Sequence, residues 1–537
     1  MKDKMSEKNR STRKISNPFP GLRPFRQEES DLFFGREGQS EEVLIKLKAN
    51  RFVTVIGASG SGKSSLVFCG VVPGLCVSEG KEKDSWQVLS MKPGINPLGN
   101  MVKMIAGNTP SEMKQGLDSS IIEGIIRKDE KGIINAVNKL KVKKNIKTLI
   151  VIDQFEELFR YSETEKSGRK KEDNRYFMNL LVNSVADHDS GISVIMTMRS
   201  DYIGECAHFR GLTELINSSN YLVPQMNEDD YRKVITGPVE YAGAKIEDDV
   251  VELLISDIGG RTDQLPVLQH ALMRTWENWK SMNLPDKPIS LADYNAIGKM
   301  SEAMSKHADE AFKELDNRGK EICETLFRTI TEKGPDNKGI RHPTRLKIIA
   351  DIARCSEPEL IKVIDTFRSS GRSFVTPGED VALKENTVID ISHESLIRVW
   401  ESLEQWVDKE AESEKMYLKL SDTAAMFQEG KSTLLRPPDL HLALSWRSEN
   451  KPTLTWAERL NPAFERTMVY LRTSEKEYNK EEEIKIRAQK KRIHRSRAAA
   501  AILGVAAIIA VFLMLFAFVR QIEAVKQKQV AEEQEKQ

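Results

Sequence analysis

Lys63, Ser64 and Ser65 close a glycine-rich loop, GASGSGKSS, that follows the apolar run Phe52–Ile56 and precedes a helical pattern. The spacing is G-x-x-x-x-G-K-[ST] in a strand, loop, helix context, which is the arrangement of a phosphate-binding P-loop. Gly57 turns the chain out of the strand, and Gly62 lets the backbone approach a phosphate with no Cβ in the way. The N–H groups of the loop, with Ser59, Gly60 and Ser61 at its tip, face a polyanion together with the positive end of the following helix. Lys63 is placed to reach the β- and γ-phosphates, the Ser64 hydroxyl to ligate Mg2+, and Ser65 to complete the loop.

A second segment supplies the acids. TLIVIDQFEELF, Thr148 to Phe159, is an apolar strand that delivers Asp153 to a sheet edge, ahead of an acidic amphipathic stretch. A carboxylate in that place holds the Mg2+ water shell, as in Walker B chemistry. Glu156 and Glu157 are the candidates to polarise an attacking water. Gln154, not an acid, follows Asp153 directly, which leaves efficient hydrolysis open. The alternative is an ordinary strand followed by a solvated acidic helix. In VIMTMRSDY, Arg199 falls just past another strand, where a guanidinium can pair bidentately with a γ-phosphate and report its presence. The competing reading of Arg199 is a structural ion pair with Asp201 or another carboxylate.

These residues need a sheet to gather them. Short apolar runs alternate with helical patterns from about residue 50 to 225, the signature of an α/β domain with a mainly parallel sheet. The expected strands are Phe52–Ile56, Trp86–Leu89, Thr148–Asp153, Ile192–Thr197 and Asn220–Val223. From Glu228 to Met300 the pattern is helical. Over residues 320–400, helices precede a strand-turn-strand signal, SFVTPGEDVALKENTVIDIS, with Pro377-Gly378 at the turn; this is the order of a winged-helix module. Residues 400–490 are helical and charged, interrupted near Pro437-Pro438. No repeat of period 20–50 is present, which excludes propeller blades and solenoids from this sequence.

At 537 residues, the chain is long enough for several cores. Lys and Arg total 81 against 80 Asp and Glu, so the balance gives no direct evidence for a nucleic-acid partner. Cys69, Cys76, Cys206, Cys323 and Cys355 are odd in number and never form a C-x-x-C pair, which points to free thiols in a reducing compartment. The first sixteen residues are polar and basic without an apolar core, so they read as a disordered arm and not a secretory signal.

Ala498–Val519 is twenty-two residues without a charge. As a helix it would be about 33 Å long, enough to cross a bilayer core once. The run before it, KIRAQKKRIHRSR, is densely basic, and the tail after it, residues 520–537, carries fewer Lys and Arg. That bias puts residues 1–497 in the cytoplasm, and the basic run suits anionic headgroups.

Taken with their flanks, these segments resemble one family. NPFPGLRPF…DLFFGRE (Asn17 to Glu37), GASGSGKSSL, DQFEELF, MRSDY, GGRTDQLPVLQHAL (Gly259 to Leu272), DISHESLIRVW (Asp390 to Trp400) and STLLRPPDLHLALSW (Ser432 to Trp446) are similar to the bacterial STAND-class NTPases of the novel STAND type, in the family's order. The resemblance implies an α/β P-loop NTPase of the additional-strand type over 17–225, then a helical lid over 226–315 and a winged-helix domain over 316–410. A helical region with the basic juxtamembrane segment follows over 411–497, and then the membrane span, 498–519. ATP or ADP with Mg2+ is the implied cofactor. Position by position, Arg36 in Gly35-Arg36-Glu37 is implied to lie on the adenine side. Pro266 is implied to pack near adenine from the lid, though a proline there also simply starts a helix. His393 falls where such switches carry a histidine that senses the ADP β-phosphate; the other reading is a capping or core histidine.

The resulting expectation is a membrane-anchored signalling switch, ADP-closed and ATP-open, with slow hydrolysis and self-association when ATP-bound, in the bacterial cytoplasmic membrane. Defence or stress signalling is the setting the family suggests. The family usually continues into a long repeat domain, whereas eighteen residues follow the span here, so a separate sensor or effector protein is expected. The alternatives are a constitutive AAA-type remodelling ATPase and an ATP-binding scaffold without turnover.

Overall fold

The computed structural model describes residues 16–76, 86–109, 118–141, 146–164, 168–259, 264–282, 287–334, 338–369 and 371–534. The basic arm expected over 1–16 lies outside them except for Ser16, as do residues 260–263 of the GGRTDQLP segment and the last three residues of the tail. The chain divides into two units, Met1–Glu410 and Ala411–Gln537.

The first unit is built on five strands, β1 (Phe52–Gly57), β2 (Trp86–Met91), β3 (Lys147–Ile152), β4 (Ile192–Arg199) and β5 (Asn220–Leu222). All five apolar runs expected to be strands are strands. They pair in parallel in the order β2-β3-β4-β1-β5. An additional strand, β4, therefore separates the P-loop strand β1 from the acid-bearing strand β3. Side chains alternate between two cores. Ile56, Ile150, Ile152, Val194 and Met196 pack on one side, and Val53, Val55, Leu149, Val151 and Ile195 on the other. Burial on both faces is why β1, β3 and β4 read as unbroken apolar runs. The register sets Gly57 opposite Arg199, so the phosphate loop and the arginine leave the same sheet edge side by side.

Helices Glu228–Tyr241, Asp248–Ile258, Leu265–Ser281, Leu291–Ala296 and Lys299–Lys313 follow. The first is capped by Asn227, which accepts from the Asp230 N–H while Asp230 reaches back. Pro266 sits in the first turn of Leu265–Ser281, where its missing N–H costs nothing. After helix Asn317–Thr329 come β6 (Thr331–Lys333) and β7 (Gly339–Arg341), a short antiparallel pair that the sequence did not signal. Next are β8 (Thr344–Arg345), helices Leu346–Ala353 and Glu357–Arg368, β9 (Val375–Thr376) and β10 (Val388–Ile391). The last three strands form an antiparallel sheet in the order β8-β10-β9. The expected strand-turn-strand is thus present as β9 and β10, with a longer connection than a tight turn.

One core joins these helices to this sheet: Val234, Leu268, Met304, Phe327, Phe367 and Trp400 belong to it, together with Phe19 and Leu22 from the entry segment. His270 and His307 are buried in the same region, Nε2 to Nδ1 at 3.0 Å, and both rings pack on Phe374. Burial, with Arg274 adding, pushes His270 down to about 3 and His307 down to about 2. Both rings are neutral at any physiological pH.

The second unit is helical. Its small core stacks Tyr417 against Trp446 and Trp456, and the Trp446 Nε1–H donates to Ser413 Oγ at 2.8 Å. Its last element is one helix of 71 residues, Phe464–Gln534. The apolar stretch 498–519 lies inside it, and its side chains are exposed, Phe512 by 74%. This helix is long and apolar enough to cross a membrane.

Candidate functional site

A cleft opens at the carboxyl edge of the parallel sheet. Ser59, Gly60, Gly62, Lys63, Ser64 and Ser65 of the loop line it, with Glu156 and Arg199 from the neighbouring strand ends. Leu265 and Pro266 at the start of helix Leu265–Ser281 line it too, as do His393 and Glu394 just after β10. Residues separated by more than three hundred positions thus converge on one hollow.

Gly60 and Gly62 have φ of +73° and +84°, left-handed values that a Cβ would strain. The loop can therefore present its N–H groups inward, which suits a polyphosphate. Lys63 is buried, and its ammonium donates to the carbonyls of Gly57 (2.9 Å) and Ala58 (2.7 Å). Burial pushes its pKa down, against the attraction of Glu156. Ser64 Oγ donates to Asp153 Oδ1 at 2.6 Å. A hydroxyl that gives its proton to a carboxylate keeps its lone pairs for a cation, so this pair fits Mg2+. Ser65 Oγ accepts from the Phe25 N–H at 3.3 Å, tying the loop to the entry segment.

Asp153 lies one residue past the end of β3 and is buried. A second hydroxyl reaches it, from Thr197 on β4, at 2.7 Å to the same Oδ1. Gln154 takes φ of +58°, and its N–H donates to Thr197 Oγ1 at 2.9 Å. The two glutamates that follow part company. Glu156 lines the cleft, accepts from the Arg199 N–H at 3.3 Å, and burial raises its pKa. Glu157 is not among the cleft-lining residues; its Oε2 accepts from the Gly94 N–H at 3.1 Å. Burial pushes Glu157 up to about 7, opposed by Lys92 and Arg341 and reinforced by Asp390.

Arg199 contacts two carboxylates. One nitrogen, Nη1, donates to both oxygens of Glu394, at 2.8 and 2.9 Å, and Nη2 donates to Asp201 at 2.6 Å. Arg160 and Arg341 also stand within 3.8 and 3.9 Å of Glu394. Burial works against the Glu394 charge, but these three guanidiniums outweigh it and hold its pKa low. Arg341 bonds Asp390 at 3.0 Å, and Arg160 Nη2 donates to the Arg341 carbonyl at 2.7 Å. The joint between the sheet edge and the β7–β10 region is therefore a buried charge network. The sequence pointed to Asp201 or another carboxylate as the partner of Arg199, and both Asp201 and Glu394 bond it; it gave no sign of Arg160 or Arg341.

His393 half-buries its ring at the cleft. Its Nδ1 accepts from the Ser395 N–H at 3.2 Å, capping helix Ser395–Val399. The same Nδ1 stands 2.9 Å from Ser395 Oγ. Arg36 is buried and donates to the Pro224 and Ser61 carbonyls, at 2.7 and 3.0 Å, so it braces the loop while lining the cleft. The apolar wall beside it is Leu22, Phe34, Met226 and Val234 with Leu265 and Pro266. The entry segment NPFPGLRPF supplies part of that wall, a role its sequence did not suggest.

A family model described as Novel STAND NTPase 1 matches residues 18–433. Among curated proteins, none matches the sequence. Similar solved structures include the Aeropyrum pernix ORC1 protein in complex with DNA, at 11% identity and TM-score 0.38, covering 71% of this chain and 93% of that one. A Walker-type ATPase of Pyrococcus abyssi is similar at 14% identity and TM-score 0.35, with 71% and 98% covered. The Aeropyrum pernix ORC2 protein is similar at 13% identity and TM-score 0.38, with 70% and 94% covered.

Proposed function

The chain belongs to the Novel STAND NTPase 1 family, and on that premise we propose that it is a membrane-held ATP switch in which Arg199 reads the γ-phosphate. The observation that carries this reading is the two-oxygen hold of Arg199 on Glu394. Arg199 leaves β4 beside the phosphate loop, and Glu394 belongs to the segment after β10. A guanidinium engaged with Glu394 is not available to a phosphate, so the two partners compete. A diphosphate leaves the Arg199–Glu394 bond intact and the C-terminal module, which we read as a winged helix, stays docked. A triphosphate offers Arg199 a denser charge, and the module is released.

His393 precedes Glu394 on the same cleft wall, and its Nε2–H is suited to donate to the last phosphate of a diphosphate. Ser64 and Asp153 would hold Mg2+, which neutralises developing phosphate charge when bound. Glu156, on the cleft and raised by burial, is the residue placed to take a proton from water. Driving such a switch from 1:99 to 99:1 takes about 5.5 kcal/mol. The released form self-associates. Residues 498–519 anchor the chain in a bacterial cytoplasmic membrane, with the basic run before them on the cytoplasmic side.

The test uses the full chain in detergent micelles: the nucleotide it carries, and its mass before and after exchange into ATP. Stoichiometric ADP on a monomer that assembles with ATP supports the switch. Protein that turns over ATP at about 1 s⁻¹ or faster with no change of mass defeats it, in favour of a remodelling ATPase.

A further inference from the structure

We infer that Thr197 is a positioning residue of this site, fixing the Asp153 carboxylate toward Ser64 and holding the turn that brings Glu156 to the cleft. The inference rests on reading the site as one for a Mg2+-nucleotide. Thr197 is wholly buried in β4, the strand that the sheet order inserts between β1 and β3. Its neighbours along the strand, Val194, Ile195, Met196 and Met198, are apolar and buried. Packing alone would be served by valine, which has the same shape, and a buried hydroxyl is costly unless it is used.

Here the hydroxyl is used twice. A threonine oxygen has one proton to give and two lone pairs to receive with. The proton goes to Asp153 Oδ1 at 2.7 Å, and a lone pair receives the Gln154 N–H at 2.9 Å. The Thr197 carbonyl then accepts the Phe155 N–H at 2.9 Å. Three successive residues, Asp153, Gln154 and Phe155, are thus pinned by one.

What this pinning achieves is visible in the backbone. Gln154 has φ of +58°, an uncommon conformation for a residue other than glycine, and one that persists where the surroundings over-determine it. The chain doubles back there instead of running on as strand. The acid on the cleft is the third residue after Asp153, Glu156; Gln154 lines the cleft as well, with its side-chain oxygen buried and without a hydrogen bond. Asp153 Oδ1 meanwhile receives two hydroxyl protons, from Ser64 and Thr197. With its rotation fixed from the β4 side, the carboxylate meets Ser64 in one geometry, as an outer partner fixes a metal ligand.

The experiment is a Mg2+ titration of the affinity for a fluorescent ATP analogue, on the full chain in detergent, for wild type, Thr197→Val and Thr197→Ser, with a parallel measurement in EDTA. The expected result is that Thr197→Val matches wild type in EDTA but needs about tenfold more Mg2+ or beyond, whereas Thr197→Ser stays within about threefold of wild type. Thr197→Val titrating like wild type overturns the proposal. So does Thr197→Ser being as impaired as Thr197→Val, because the methyl and not the hydroxyl would then matter. If Thr197→Val does not fold, Thr197→Ala against Thr197→Ser reads the same contrast. A wild-type chain that binds the analogue with no response to Mg2+ overturns the site reading itself, and is distinguishable because it appears before any variant is compared.

Discussion

Replacing Glu394 with alanine should release the docked state without touching the phosphate loop. Its side chain is 15% exposed and that of Arg199 22%, so the pair is mostly out of water and solvent screening takes little from it. Arg199 donates to both Glu394 oxygens, and Arg160 and Arg341 add attraction at 3.8 and 3.9 Å. Removal leaves three cations at the joint, with Asp201 on Arg199 and Asp390 on Arg341 still in place. The low end of the range for breaking a buried pair, about 3 kcal/mol, is the appropriate figure, since Asp201 still serves Arg199. That corresponds to roughly 150-fold in an equilibrium. A docked form favoured 99:1 would fall to about an even split. The assay is the dissociation rate of a fluorescent ADP from the full chain, with mass by light scattering. ADP, leaving from the released form, should dissociate about fiftyfold faster, and assembly should occur without ATP. A Glu394→Ala protein that holds ADP as long as wild type would refute the competition between Glu394 and phosphate for Arg199.

Glu157 should make stability depend on pH. Its folded-state value is raised by burial from 4.5 to about 7, so its contribution is full below pH 4.5 and is lost as pH rises through about 7. The loss is about 3 kcal/mol; Glu157→Gln, which keeps an acceptor for the Gly94 N–H, should flatten the fall in Tm between pH 5 and pH 8, with Glu156 and Asp390 leaving a smaller slope of the same sign. Lys63→Ala should abolish nucleotide binding measured by fluorescence titration, while its loss of bonds to Gly57 and Ala58 lowers Tm only slightly. The full chain should sediment with membranes through a carbonate wash, and a chain ending at Arg497 should not; carbonate extraction of the full chain would count against the span.

β1, β3 and β4 were legible because each is an apolar run buried on both faces, and the phosphate loop because its spacing is local. Lys63, Ser64, Asp153, Glu156 and Arg199 were found that way, each by its own flanking pattern. Their partners were not. Thr197 meets Asp153 only because β4 lies between β1 and β3, a pairing order that no single segment encodes. Glu394 and Arg341 meet Arg199 and Arg160 through a fold closing over more than 140 residues. The division of labour between Glu156 and Glu157 depends on the left-handed turn at Gln154, and glutamine does not announce such a turn as glycine would. β6 and β7 are absent from the sequence reading because three residues each, TEK and GIR, are too few to show alternation.

The helix Phe464–Gln534 has no proline along its length, so its two ends are joined without a break in the helical ladder. An α-helix advances about 100° per residue, and an unbroken one passes a twist at one end to the other with its phase preserved. Rotation of residues 464–497 about the helix axis would therefore turn the face shown by Ile522 and Val525 by the same angle. A change of angle is what such an element would carry from one end to the other.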